Sequence, residues 1–209
     1  MYDALLFDLD GTLIDTESLA LSSGMLAFAG AGFPVEPEFL HGLVGVDQPT
    51  AGQIIRARHP ALDLDHLNRL WHQGFKDEVD RGLALKAGVA EVLALAPHLP
   101  RAIVTSSGRI EAHRKLAIVG LAQRFAEVVV LEDVANPKPA PDPYLLAAQK
   151  LGVLPGRCLV FEDSETGAQA AHRAGCIVVQ VPDVVPSKGR WAHHLAADLM
   201  SGARLAGLI

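Results

Sequence analysis

Short apolar runs with little polar alternation recur along the chain, at 4–7, 102–104, 128–131, 158–161 and 177–181. Strands covered on both faces read this way, because every side chain meets a packed layer whichever way it points. Between most of these runs the apolar positions fall at helical spacing, over 89–96, 109–119, 143–151 and 165–174. Such alternation predicts an α/β fold, a parallel sheet with helices on both faces. Asp142-Pro143 is expected to open one helix, as N-cap and first helical residue. The rhythm breaks between residues 16 and 80. No convincing strand lies there, and 16–29, 36–43, 49–58 and 64–79 read as helices, with Gly30, Gly32, Pro34, Gly45 and Pro60 between them. The expected organisation is therefore an α/β core of residues 1–15 and 81–209, with a helical block of residues 16–80 inserted after the first strand. Ligands of open parallel sheets bind at the carboxyl ends of the strands. An insert leaving from that end is expected to lie over the site as a lid.

Composition adds limits. A chain of 209 residues, half of them hydrophobic and a fifth charged, suits one mid-sized domain or a domain carrying a smaller insert. The formal net charge of -6 speaks against nucleic acid or an anionic membrane as partner. No apolar run approaches 18 residues, and the first residues lack a basic stretch followed by a cleavage site. Cys158 and Cys176 sit in separate apolar segments and read as reduced core thiols. A cytoplasmic protein, monomer or homodimer, is expected.

Candidate chemistry gathers at the predicted strand ends. Asp8 and Asp10 flank Leu9 where the first strand stops. Side chains alternate along a strand, so both carboxylates can face one ligand, and Gly11 lets the chain turn sharply after them. Thr105-Ser106-Ser107, Lys138 and Glu162-Asp163 follow three further strands. Acids, hydroxyls and a lysine so placed point to a phosphate and Mg²⁺ site. The carboxylates of Asp8 and Asp163 and the Asp10 carbonyl suit an octahedral oxygen-liganded cation, with Glu162 beside them. Lys138, the Thr105 hydroxyl and the Ser106 N–H suit the phosphoryl oxygens, near a helix start, and Gly11 belongs to the same phosphate-binding set. Asp8 is the candidate nucleophile and Asp10 the candidate proton carrier. Thr12 is expected to orient the loop around the two aspartates. The nine histidines show no metal-ligand spacing, and His193-His194 are expected on different sides of a helix.

These motifs carry a resemblance. DxDGTLxD at Asp8–Asp15, the apolar run ending at Thr105, KPxPDPY at Lys138–Tyr144 and EDSxxG at Glu162–Gly167 are similar to those of the haloacid dehalogenase superfamily, in particular its phosphatases with a helical cap. The resemblance implies a Rossmann-like core, Mg²⁺ as cofactor, an aspartyl-phosphate on Asp8 and a small phosphorylated metabolite as substrate: a sugar, polyol or glycolate phosphate. Asp10 speaks against the dehalogenases, which lack it. The absence of any lysine before Lys76 speaks against the phosphonoacetaldehyde hydrolases. Beta-phosphoglucomutase is the alternative, but Ala20 and Gln48 stand where its cap carries a His and an Arg. A non-catalytic binding protein keeping the fold is a second alternative. Within the cap, Gln48 and Lys76 are the candidate substrate contacts, with His41, Arg56 and Arg69 behind them. Trp71 and Phe75 are expected to pack in the cap core.

Overall fold

A computed structural model describes residues 1–44, 46 and 48–209, the Gln48 side chain excepted. The chain divides into two compact units, Met1–Asp15 with Ala84–Ile209, and Thr16–Leu83. The first unit holds six strands: β1 (Ala4–Phe7), β2 (Arg101–Val104), β3 (Glu127–Val129), β4 (Cys158–Glu162), β5 (Ile177–Gln180) and β6 (His194–Leu195). They form one parallel sheet in the order β3-β2-β1-β4-β5-β6. From β1 the chain winds outward through β2 and β3, then returns to the other side for β4, β5 and β6. The reversal falls between β1 and β4, which pair in register from Ala4↔Cys158 to Phe7↔Phe161. A crevice opens at the carboxyl ends of such neighbours.

The strands of β1, β2 and β4 are buried along their whole length, as their continuous apolar character requires. Leu6, Val104, Val160 and Val178 face one layer with Ala147 and Ala148 of α7 (Asp142–Leu151) and Ala168 and Ala171 of α8 (Glu165–Arg173). Small alanines let both helices lie close on the sheet. Phe7 stacks on Phe161 on the opposite face, ring centroids 5.1 Å apart.

Several details depart from the sequence pattern. The third strand stops at Val129, and Leu131–Asp133 forms a 3₁₀ turn in place of the expected strand end. Pro141, not Asp142, is the N-cap of α7; the Asp142 carboxylate instead accepts a hydrogen bond from the Asn136 side chain at 2.9 Å. His193 and His194 are not helical, because His194 begins β6. The sheet edge β6 and the terminal helix α9 (Leu199–Leu205) had no counterpart in the apolar pattern. No helix among the described residues is long and apolar enough to cross a membrane.

The second unit is helical: α1 (Glu17–Gly30), α2 (Pro37–His41), α3 (Gln48–Arg58) and α4 (Leu64–Arg81). Phe28, Leu40 and Leu67 centre its core. The Asp63 side chain caps α4 by accepting the N–H groups of Asp65 and His66. Two further helices of the first unit are α5 (Val89–Leu95) and α6 (Arg109–Ile118).

Candidate active site

Asp8 is the first residue beyond β1, and its N–H still donates to Phe161 O at 3.0 Å. The strand pairing thus delivers its side chain beside Glu162, the last residue of β4. Glu162 was expected just after this strand; within it, the side chain is completely buried. Lys138 comes from the loop after β3. Its ammonium donates to Asp8 Oδ1 at 2.6 Å, Glu162 Oε1 at 2.5 Å and Val104 O at 2.8 Å. Three N–H bonds meet three acceptors, so this buried charge is fully satisfied.

Glu162 is held on every side. Oε1 also accepts from the Tyr144 hydroxyl at 2.5 Å, and Oε2 from the Ser164 hydroxyl at 3.1 Å. Gly167 makes this possible, because a Cβ there would fall 1.9 Å from Glu162 Oε1. The Ser164 hydroxyl also accepts the Gly167 N–H and so caps α8. The EDSxxG stretch is therefore one device: a buried carboxylate, a second acid, an N-cap, and a glycine that leaves room. Asp163, the second acid, accepts from the Thr12 hydroxyl at 3.1 Å, and the Gln180 amide donates to its main-chain oxygen at 3.3 Å. A Cβ on Gly11 would lie 2.5 Å from Asp163 Oδ2, so the turn after β1 must be glycine on space as well as on its φ of 80°.

One carboxylate oxygen each from Asp8, Glu162 and Asp163 lie within 4.8 Å of one another. Three acids against one lysine leave an excess of negative charge in a buried place. Burial, then Glu162 and Asp163, push the Asp8 carboxyl well above its ordinary value against the pull of Lys138. Burial, then Glu162, raises Asp163 to about 7. Burial works against the Lys138 ammonium, but Asp8 and Glu162 outweigh it and hold its pKa above the lysine norm. An all-oxygen set with surplus charge fits a hard divalent cation.

Asp10 has partners of its own. It is not part of this cluster. Its Oδ2 accepts from the Ser107 hydroxyl at 2.7 Å and its Oδ1 from the Lys115 ammonium at 2.8 Å. The two acids thus serve different partners. Thr105 is buried, and its hydroxyl oxygen accepts the Ser107 N–H at 3.0 Å, while Ser106 is exposed at the head of the loop. The nearby helix start is already occupied: the Arg109 N–H at the head of α6 donates to both Glu132 carboxylate oxygens. Thr12 binds Asp163 rather than either of the first two aspartates.

In the helical unit, Lys76 pairs with Asp80 at 3.0 Å on an exposed face. Gly45, Asp47 and the Gln48 side chain lie outside the described residues. A cavity of about 810 Å³ within the unit is lined by Ala20, Arg56, Trp71, His72 and Phe75 among others. Trp71 both lines it and packs on Phe28, with its indole N–H donating to Ala20 O.

Ser107, Lys115, Tyr144 and Gln180 were not singled out for these contacts from the sequence. A signal existed for Lys115: it falls among Ala112 and Leu116 on the buried stripe of its helix.

The family model described as haloacid dehalogenase-like hydrolase matches residues 5–181. The chain belongs to that family. The fructose-1-phosphate phosphatase YqaB of Escherichia coli is 35% identical over 190 residues, covering 86% of this chain and 96% of its own. A haloacid dehalogenase family hydrolase from Deinococcus radiodurans, solved with bound phosphate and sodium, superposes with a TM-score of 0.85 at 28% identity, over 100% of this chain and 97% of the other. CbbY from Rhodobacter sphaeroides, solved with xylulose-1,5-bisphosphate, superposes with a TM-score of 0.77 at 28% identity, over 100% and 99% of the chains.

Proposed function

We propose that this hydrolase is a Mg²⁺-dependent phosphatase of small phosphorylated carbohydrates, working through an aspartyl-phosphate on Asp8. The observation that carries the reading is the cluster at the β1–β4 reversal: Asp8, Glu162 and Asp163 around Lys138, with Asp10 held by Lys115. The names of the relatives support the substrate class, since one is a phosphatase of a ketose phosphate and another was solved with a ketose bisphosphate.

Each residue has a defined part. An Asp8 carboxylate oxygen attacks phosphorus as the bond to the sugar oxygen breaks, and Asp10 gives that oxygen a proton. Asp10 then takes a proton from a water attacking the phosphoryl group. The bond to Asp8 breaks, releasing inorganic phosphate and restoring the carboxylate. Lys138 orients Asp8 through Oδ1 and sets its positive charge beside the phosphoryl group, whose oxygens Thr105, Ser106 and the Gly11 turn receive. Asp8, Asp163 and the Asp10 carbonyl would hold Mg²⁺, with Glu162 beside it; the ion supplies positive charge to the phosphoryl oxygens and offsets the surplus of acid. The helical unit is the candidate for selecting the sugar, with Gln48 and Lys76 as candidate contacts. The phosphoglucomutase reading draws no support from Ala20, which brings no positive charge to the cavity it lines.

The test is phosphate release from a panel containing fructose 1-phosphate and other sugar, polyol and glycolate phosphates. Turnover with Mg²⁺, its loss in EDTA and an inactive but folded Asp8→Asn variant are expected. Undiminished turnover in EDTA would overturn the metal assignment, and an active Asp8→Asn variant the nucleophile.

A further inference from the structure

Lys115 is a lysine in a place meant for an apolar side chain. It lies on α6 between Ala112 and Leu116, both buried, and is itself only 4% exposed. An ammonium ion so placed is costly unless an anion meets it. The anion is Asp10, at 2.8 Å. Ser107 closes the arrangement into a ring: its hydroxyl donates to the other Asp10 oxygen at 2.7 Å and accepts from Lys115 at 3.2 Å. Each oxygen of Asp10 therefore has its own donor, and rotation of the carboxylate breaks both bonds at once. Ser107 is in turn tied to the phosphate loop, since its N–H donates to Thr105 Oγ1.

We propose that Lys115 and Ser107 are positioning residues for the Asp10 carboxylate, and that the enzyme's ability to expel a poorly leaving alkoxide depends on them. The proposal rests on the reading of the protein as a phosphatase with Asp10 as proton carrier. The Lys115–Asp10–Ser107 ring links that carrier to Thr105, so the donor and the phosphoryl group it serves are fixed in one frame. Two lysines divide the work: Lys138 serves Asp8 and Glu162, and Lys115 serves Asp10. Proton delivery needs the donor at hydrogen-bond distance from the leaving oxygen. A loosened Asp10 should fail where the leaving group needs a proton and matter little where it does not.

Two esters of similar shape separate these cases. p-Nitrophenyl phosphate releases a stable phenolate, whereas p-nitrobenzyl phosphate releases an alkoxide. The value of kcat/KM with Mg²⁺ reports the step in which the leaving group departs. In Lys115→Met it should fall on the order of 100-fold for the benzyl ester and less than about tenfold for the phenyl ester. Ser107→Ala should show the same bias, more weakly. A Lys115→Met loss that favours the benzyl ester by less than about tenfold over the phenyl ester overturns the proposal, because a merely structural lysine would affect both alike. If Lys115→Met lacks a cooperative unfolding transition, Ser107→Ala decides, by whether its loss is greater for the benzyl ester. Wild-type protein that turns over only the phenyl ester has no working proton donor and also overturns it. Wild-type protein inactive on both esters overturns the phosphatase reading itself, and the proposal with it.

Discussion

At the scale of single residues, the site is an exercise in making room for charge. Glu162 is completely buried yet accepts from Lys138, Tyr144 and Ser164, so its surroundings replace water rather than exclude it. Its weakest point is the space at Gly167. Gly167→Ala would force a Cβ to within 1.9 Å of a carboxylate oxygen, with the helix backbone on the other side. We expect it to destabilise the protein by about 3 kcal/mol or more, read by denaturant unfolding. Tyr144→Phe removes one donor while leaving the ring in place. The Glu162 oxygen keeps Lys138, so a cost of about 1–3 kcal/mol is expected in the same measurement. The motif residues Asp8, Lys138, Glu162 and Asp163 could be read from the chain as a charged group, and the structure brings them together. The partner of Asp10 could not be read in the same way, because Lys115 reaches it from a helix 105 residues further on.

At the scale of elements, continuous apolar runs were reliable because strands covered on both faces admit little else. They failed at the edge. β6 has only two residues and only one neighbouring strand, so no run marks it. What holds it is partly a side chain: the Val178 N–H donates to His193 Nδ1 at 3.1 Å, and the His193 N–H returns to Val178 O at 2.9 Å. That nitrogen accepts only while the ring is neutral. Burial, then the nearby His172 and His194, hold the His193 pKa below its ordinary value of 6.5. A depressed histidine contributes stability above the unfolded value, which is lost as pH falls through the folded one. Amide exchange at Val178, corrected for intrinsic rate, should therefore lose protection as pH falls below about 6.5, and His193→Ala should remove that dependence. The N-cap of α7 teaches a similar lesson. Asp142-Pro143 satisfies the local rule for a helix start, but Asn136 engages the Asp142 carboxylate and the helix begins one residue earlier.

At the scale of the whole molecule, the surplus of acid at the β1–β4 reversal predicts a stability that rises with a divalent cation. Mg²⁺ at a hundredfold excess over its dissociation constant should stabilise the fold by about 2.7 kcal/mol. The measurement is Tm against Mg²⁺ concentration, and Asp163→Asn should abolish most of the gain. The wild-type gain should also widen as pH rises toward and beyond about 7, because a raised Asp163 keeps its proton below that value and competes with the ion. The sequence by itself determined the architecture and the chemical vocabulary. Apolar runs buried on both faces demand a parallel sheet, helical spacing between them demands covering helices, and acids with a lysine at strand ends demand a cation and an anion. The tertiary structure decided which charge meets which. Strand order set Asp8 against Glu162, α6 brought Lys115 to Asp10, and α8 had to be glycine where it passes the buried carboxylate. Such pairings depend on contacts between residues far apart in the chain, and no local pattern of hydrophobic and polar positions encodes them.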